Sequence, residues 1–221
     1  MTTWLYADWR EDSYLIPTTT TEVITLYPEG VLPMIDREKA LSIVREYVKN
    51  ENLVRHMLAV EAAMRFYADK FGEDPERWGV TGLLHDFDWE IHPNLETHPG
   101  DGVPILRERG VNEDMIEDIQ SHADHTGIPL DTKLRKALAA CDELTGLITA
   151  TALVRPSKSI HDVKVSSVRK KWKDLRFAAG ADRAEMDEAI EAFGVEKWEH
   201  VGNVIQAMQG IAEDLGLEGE S

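Results

Sequence analysis

Three features of this chain predict an all-α fold. Beyond Asp36, apolar residues recur at steps of three and four, the spacing of one helix face. Capping residues stand in front of these stretches, and Gly or Pro closes them. The one strand-like run, Val23 to Tyr27, comes before Asp36 and stops at Pro28 and Gly30. The expected architecture is a helical bundle over residues 36–217, of roughly eight to ten helices with a site at the centre. Residues 1–35, with scattered Trp4, Tyr6, Trp9 and Tyr14 and the run Thr18 to Thr21, are expected to form an irregular N-terminal extension or strap.

The helices follow in order. Asp36 is an N-cap for a first helix reaching about Lys49. A second runs from about Glu51 to Phe71 on the stripe Leu53, Met57, Val60, Met64 and Tyr67. His56 lies on the edge of that stripe and points inward. Gly72 closes the helix, and Pro75 opens the next, which carries Trp78, Leu83 and Leu84 to His85-Asp86. Residues 88–99 read as a loop, with His98 before Pro99, a favoured first helical residue. A short helix then covers Val103, Ile105 and Leu106 and stops at Gly110. Asn112 caps another, with Met115, Ile119 and His122 on its inward face until Gly127 and Pro129 break it. A long helix from about Asp131 carries Leu134, Leu138, Cys141, Thr145 and Ile148. Asp142 sits on the edge of that stripe, and a carboxylate there is costly unless paired or bound to a cation. Pro156 ends the run. Further helices are expected around Ser166 to Leu175, from Asp182 to Phe193, and from Val195 to about Leu215.

Composition narrows the class. The 221 residues are 43% hydrophobic, enough for one large domain with a real core. A net charge of −17 and a pI near 4.8 argue against general nucleic-acid binding, because phosphate is repelled. Charge is uneven. Between Arg155 and Arg176 eight basic residues face two acids, a local +6, which leaves 16 basic and 39 acidic residues elsewhere, or −23. That island reads as a solvated face or a small-anion site. Cys141 is the only cysteine, which excludes an internal disulfide framework and fits a reducing compartment. No apolar run reaches about 18 residues, so no membrane span is expected. No signal peptide is read at the N-terminus, and a cytoplasmic protein is expected.

Four separate helices or helix ends thus offer an inward metal-type ligand: His56, His85-Asp86, His122 and Asp142. His98 comes from a fifth position. A lone histidine on an apolar face is usually a satisfied core residue, and a lone inward aspartate usually caps or pairs. All of them together, in order on consecutive helices, point to a shared cation.

The order His56, His85-Asp86, Asp142 resembles the H…HD…D signature of the HD superfamily of metal-dependent phosphohydrolases. The segments Leu84-His85-Asp86-Phe87-Asp88, Asp142-Glu143-Leu144-Thr145-Gly146 and Arg155-Pro156-Ser157-Lys158-Ser159-Ile160 are similar to those of bacterial and archaeal HD- or HDIG-type hydrolases. The likeness runs from about Asp36 to Leu217. It implies an HD-type helical bundle with His56, His85, Asp86 and Asp142 as ligands of a first metal. His98 and His122 resemble the additions of two-metal members, with Asp86 as the implied bridge. His125 is a rival to His122, because His125-Thr126-Gly127 resembles an element of dinucleotide-cleaving relatives; helical phase favours His122. His92, His161 and His200 are expected to be surface or packing residues.

The resemblance implies hydrolysis of a phosphate mono- or diester, with a small nucleotide as the expected partner, by hydroxide generated on one or two divalent ions. Imidazole and carboxylate donors suit Mn, Fe, Co, Ni or Zn, and Mg less well. His85, Asp86 and Arg55 are the expected catalytic residues, with Arg55, Lys170 and Lys171 as candidates to hold phosphate oxygens. Asp88, Glu90 and Glu143 are candidates to orient ligand histidines or relay a proton. Two other readings stay open: an HD-type di-iron oxygenase, and a non-catalytic nucleotide-binding sensor.

Overall fold

The computed structural model describes residues 34–219. The strap expected over residues 1–35 lies outside them, apart from Met34 and Ile35. Among the described residues regular structure is helical throughout: α1 Arg37–Tyr47, α2 Glu51–Phe71, α3 Pro75–Leu84, α4 Val103–Glu108, α5 Glu113–Gln120, α6 Lys133–Leu153, α7 Val165–Trp172, α8 Arg183–Phe193 and α9 Lys197–Gln209. The fold is all-α, as the periodicity predicts. No helix among the described residues is long and apolar enough to cross a membrane.

Short polar side chains start these helices by taking up amides that have no partner within the helix. Asp36 accepts from the Lys39 amide at 2.8 Å, Asn112 from Met115 at 2.9 Å and Thr132 from Arg135 at 3.2 Å. Asp74 accepts from Glu76 at 2.9 Å, with Pro75 as the first helical residue.

Three boundaries differ from the sequence expectation. α5 stops at Gln120, where the Ser121 hydroxyl donates to the Asp118 carbonyl at 2.7 Å, so His122 sits in a turn beyond the helix. Pro99 precedes a 3₁₀ turn at Gly100–Gly102, and α4 begins only at Val103. α9 ends at Gln209 and continues as turns toward Gly216.

The core forms around α2 and α6, whose buried stripes meet. α2 also packs against α3 and α9. The contact between α2 and α3 decides where the site lies. A Cβ on Gly82 would stand 3.2 Å from both the Val60 carbonyl oxygen and the Glu61 amide nitrogen. Glycine therefore lets the two backbones approach and brings the end of α3 beside His56. Phe87, fully buried against Tyr47, anchors the chain just past that end.

A second constraint ties α3, α5 and α6 together. The buried Asp118 carboxylate accepts from Arg77 Nη2 at 2.5 Å and from Arg135 Nε at 2.8 Å. Arg135 is itself buried. Removing the carboxylate leaves that guanidinium enclosed, with only the exposed Glu117 and Asp131 nearby. Asp118→Ala is expected to lower unfolding free energy by about 3 kcal/mol. Urea denaturation measures this, and a loss below about 1 kcal/mol would show that the three helices do not depend on the pair.

Candidate metal centre

Five parts of the fold converge on one place. α2 presents His56, the end of α3 presents His85 and Asp86, and α6 presents Asp142. His98 comes from the loop after α3 and His122 from the turn after α5. Their ligand atoms form two groups, His56 with His85 and Asp142, and Asp86 with His98 and His122. Within each group all atoms lie within 4.8 Å of one another, and either could hold a metal ion.

Asp86 joins the groups. Its Oδ2 lies 3.7 Å from His56 Nε2 and 3.5 Å from His85 Nε2. Its Oδ1 lies 3.0 Å from His98 Nε2 and 3.5 Å from His122 Nε2. Asp142 Oδ1 completes the first group, 3.0 Å from His56 Nε2 and 3.4 Å from His85 Nε2. Donors about 2.1 Å from one ion stand about 3.0 Å apart at right angles and about 3.4 Å apart at the tetrahedral angle. The observed spacings fall at or slightly beyond those values.

Neighbouring atoms assign the ring tautomers. His85 Nδ1 lies 2.8 Å from the Gly82 carbonyl and His122 Nδ1 2.7 Å from that of Ile119, so both Nδ1 atoms donate. Thr145 gives its hydroxyl proton to the Asp142 carbonyl and accepts from His56 Nδ1 at 3.3 Å. His98 Nδ1 faces Asp88 Oδ1 at 3.0 Å, a bent contact rather than an aligned hydrogen bond. The Nε2 lone pairs of these neutral rings therefore face the carboxylates. His98 and His122 Nε2 are only 3.1 Å apart. The buried His85 Nε2 has no hydrogen-bond partner at all. Lone pairs and carboxylates in such proximity repel unless a cation or protons lie between them. The residues fit a divalent ion, and the nitrogen–oxygen donor set suits a first-row transition metal.

In the metal-free protein, protons have to fill that role. Burial pulls His98 down, but the hydrogen bond to Asp86, the close contact with Asp88 and the charges of both carboxylates outweigh it and raise His98 to about 9. His85 and His122 are likewise raised by Asp86 and Asp142 against burial. Burial pushes Asp86 and Asp142 up. The charge of His85 and hydrogen bonds from the other imidazoles overcome it, holding both carboxyls well below the usual range.

Support behind the ligands comes from residues only partly visible to pattern reasoning. Asp88 is fully buried, and Gly102 gives it space, since a Cβ there would stand 2.7 Å from Asp88 Cγ. Thr145 reads in the sequence as one more stripe residue, yet its hydroxyl orients His56. Glu90 does not face the histidines; its Oε2 takes up the amides of Lys49 and Asn50, both at 2.8 Å.

The other sequence candidates lie apart from this cluster. The Arg55 guanidinium is exposed and rests by Gly216. Lys170 is exposed on α7, and Lys171 Nζ sits 4.0 Å from the centre of the Phe177 ring. None of the three lines the cavity beside the centre. His125 lines that cavity but stands outside both ligand groups. His200 is buried, bonded to Tyr67 Oη at 2.5 Å and the Ala140 carbonyl at 2.9 Å, while His161 is on the surface.

The cavity measures about 740 Å³ and reaches Asp86, His98, His122 and Asp142 at its base. Trp89 and Leu130 form part of its apolar wall. Glu143 also lines it; burial, then Asp142, Glu185 and Asp182, push that carboxyl up to about 7.

The family model of the HD domain matches residues 53–150, a span that contains all six clustered side chains. Over that span the chain is similar to HD domains. HD domains make up a superfamily of metal-dependent phosphohydrolases. The segment is similar to ribonuclease Y of Oleidesulfovibrio alaskensis, 28% identical over 98 residues, and to ribonuclease Y of Nitratidesulfovibrio vulgaris, 30% identical over 98 residues. Each alignment covers 44% of this chain and 18% of the relative, so the chain spans under a fifth of the proteins it matches. No solved structure matches it.

A test of the cluster follows from its protons. His98, raised in the metal-free fold, stabilises that fold fully below its unfolded value near 6.5, and this contribution is lost as pH rises through about 9. An ion must displace the same proton. Apparent metal affinity is therefore expected to rise about tenfold per pH unit, per proton displaced, between about pH 6.5 and 9. Calorimetric titration with Mn²⁺ in buffers of different ionisation enthalpy reads the proton count, and a count of zero would contradict the assignment.

Proposed function

We propose that the chain is a metal-dependent hydrolase of a phosphate mono- or diester. The observation that supports this most is the two-faced position of Asp86, one oxygen toward each group of imidazoles. His56, His85, Asp142 and Asp86 Oδ2 would hold one ion. His98, His122 and Asp86 Oδ1 would hold a second, with ligand positions left for water and substrate. When bound, such ions polarise a phosphoryl oxygen and bring the pKa of a bound water down to about 7.

The protein's own groups prepare that chemistry. Carbonyls of Gly82 and Ile119, the Thr145 hydroxyl and the Asp88 carboxylate keep each Nε2 turned inward. Phe87 and the stripes of α2 and α6 exclude water from behind the cluster, which strengthens every charge interaction inside it. Arg55, Lys170 and Lys171 have no part in this reading, because each lies away from the cavity; the ions themselves take the role of phosphate clamp.

The name of the relatives makes an RNA phosphodiester one member of the substrate class. The net charge of −17 disfavours a polyanion. A small nucleotide stays within the proposal on resemblance alone. The bridging carboxylate supports a second reading as well, oxygen-dependent cleavage at a di-iron centre, which oxygen uptake by the iron-loaded protein with an organic substrate would favour.

The deciding experiment is phosphate release from a panel of mono- and diesters by protein loaded with Mn²⁺, Fe²⁺ or Zn²⁺. Release is expected to need metal and to fall by at least about 100-fold in Asp86→Ala. Metal-loaded protein without turnover on any phosphoester would overturn the hydrolase reading, and tight nucleotide binding without turnover would support the sensor reading in its place.

A further inference from the structure

The wall of the cavity has an unexpected charge for a site that would take a phosphate. Among the described residues it contains no lysine or arginine. Outside the ligand groups it carries four carboxylates, Asp124, Glu143, Glu185 and Glu188. None of them forms an ion pair with a described residue. Glu185 and Glu188 share one face of α8 with Ala189 and Ala192, at steps of three and four, and that face looks into the cavity. Glu143 comes from α6, which packs against α8, and lies near Asp182 and Glu185 at the start of that helix; its Oε2 is enclosed without a partner.

An acidic wall alone would mean little. This one belongs to a cavity whose base is formed by Asp86, His98, His122 and Asp142 of the ligand cluster; His85, whose Nε2 lacks a partner, is buried behind them and does not line the cavity. Trp89 adds an aromatic surface, packed edge-on against the His98 ring with centroids 5.0 Å apart. A molecule reaching the cluster thus meets positive charge at the base once ions are bound, an apolar middle, and negative charge farther out. A polyanion such as a nucleoside diphosphate gains at the base and is repelled along the wall. A molecule with a phosphate at one end and a cation at the other gains at both.

We propose that the cavity selects a phosphoester whose leaving group bears a positive charge, an amine or quaternary ammonium, held against Glu143, Glu185 and Glu188 while the phosphate occupies the ligand cluster. The proposal rests on the phosphohydrolase reading and narrows its substrate class. Trp89 serves the same selection, since an aromatic face attracts an organic cation without needing a hydrogen bond.

The test reads binding rather than turnover. A matched pair of stable phosphonates, 4-(aminomethyl)benzylphosphonate and 4-ethylbenzylphosphonate, differs only by an ammonium in place of a methyl group. Both are titrated calorimetrically into the full Mn²⁺-loaded chain. The aminomethyl probe is expected to bind about tenfold tighter. The gap should shrink as salt rises, because the rim charges are screened. It should nearly vanish in Glu185→Gln/Glu188→Gln, whose side chains are exposed and whose loss leaves the core untouched. Glu143→Gln reads the same charge from α6. Equal binding of the two probes, tighter binding of the ethyl probe, or a gap that survives all three substitutions would overturn the charge selection and leave the hydrolase reading standing. If neither probe binds the metal-loaded protein, both fall together.

Discussion

The Asp86 carboxylate is the constraint around which the rest is built. Its two oxygens face two pairs of imidazole nitrogens, and a second carboxylate, Asp142, closes the first pair. In a space this enclosed, unneutralised carboxylates and opposed lone pairs are strongly unfavourable. A cation must lie there, or protons must substitute for it. The upward shift of three histidines and the downward shift of both carboxyls are consequences of protons in that role.

Holding five segments to this geometry takes tight backbone control. Gly82 allows α3 to meet the backbone of α2, and its own carbonyl then fixes the His85 ring. Asp118 binds arginines from α3 and α6, and it lies four residues before His122 on the chain. Gly102 leaves the space that Asp88 fills behind His98. Each of these residues acts one step behind a ligand, and each serves to aim an atom more than to add apolar burial. The cavity beside the cluster is shaped by α8, which supplies no ligand but sets the charge of the wall.

Much of this was legible in the chain itself. The 3.6-residue period located α2 and α6 closely, because both bury long stripes on which Asp142 and His56 stand out as polar exceptions. Phase also favoured His122 over His125, although His122 lies past the end of α5: the turn continues the helical direction far enough for its Nδ1 to reach Ile119. What escaped was whatever depends on contacts between distant segments. Arg55 stands next to His56, but neighbours on a helix point about 100° apart, and its side chain leaves for Gly216. Lys171 looks like a phosphate ligand in sequence and is instead laid over Phe177. Glu185 and Glu188 read as an ordinary solvated face, because periodicity tells which residues are outside and not what cavity they border. The acids flanking the motif divided in the same way, with Asp88 behind a ligand and Glu90 on a backbone cap.

The most direct test of the shared carboxylate is the metal content of the chain after reconstitution and removal of excess ion, compared with that of His122→Ala. Two groups joined through Asp86 predict two divalent ions per chain in the wild type and a loss confined to the second position in the variant, with the first still filled. No bound ion in the wild type, or a content that His122→Ala leaves unchanged, would contradict the account.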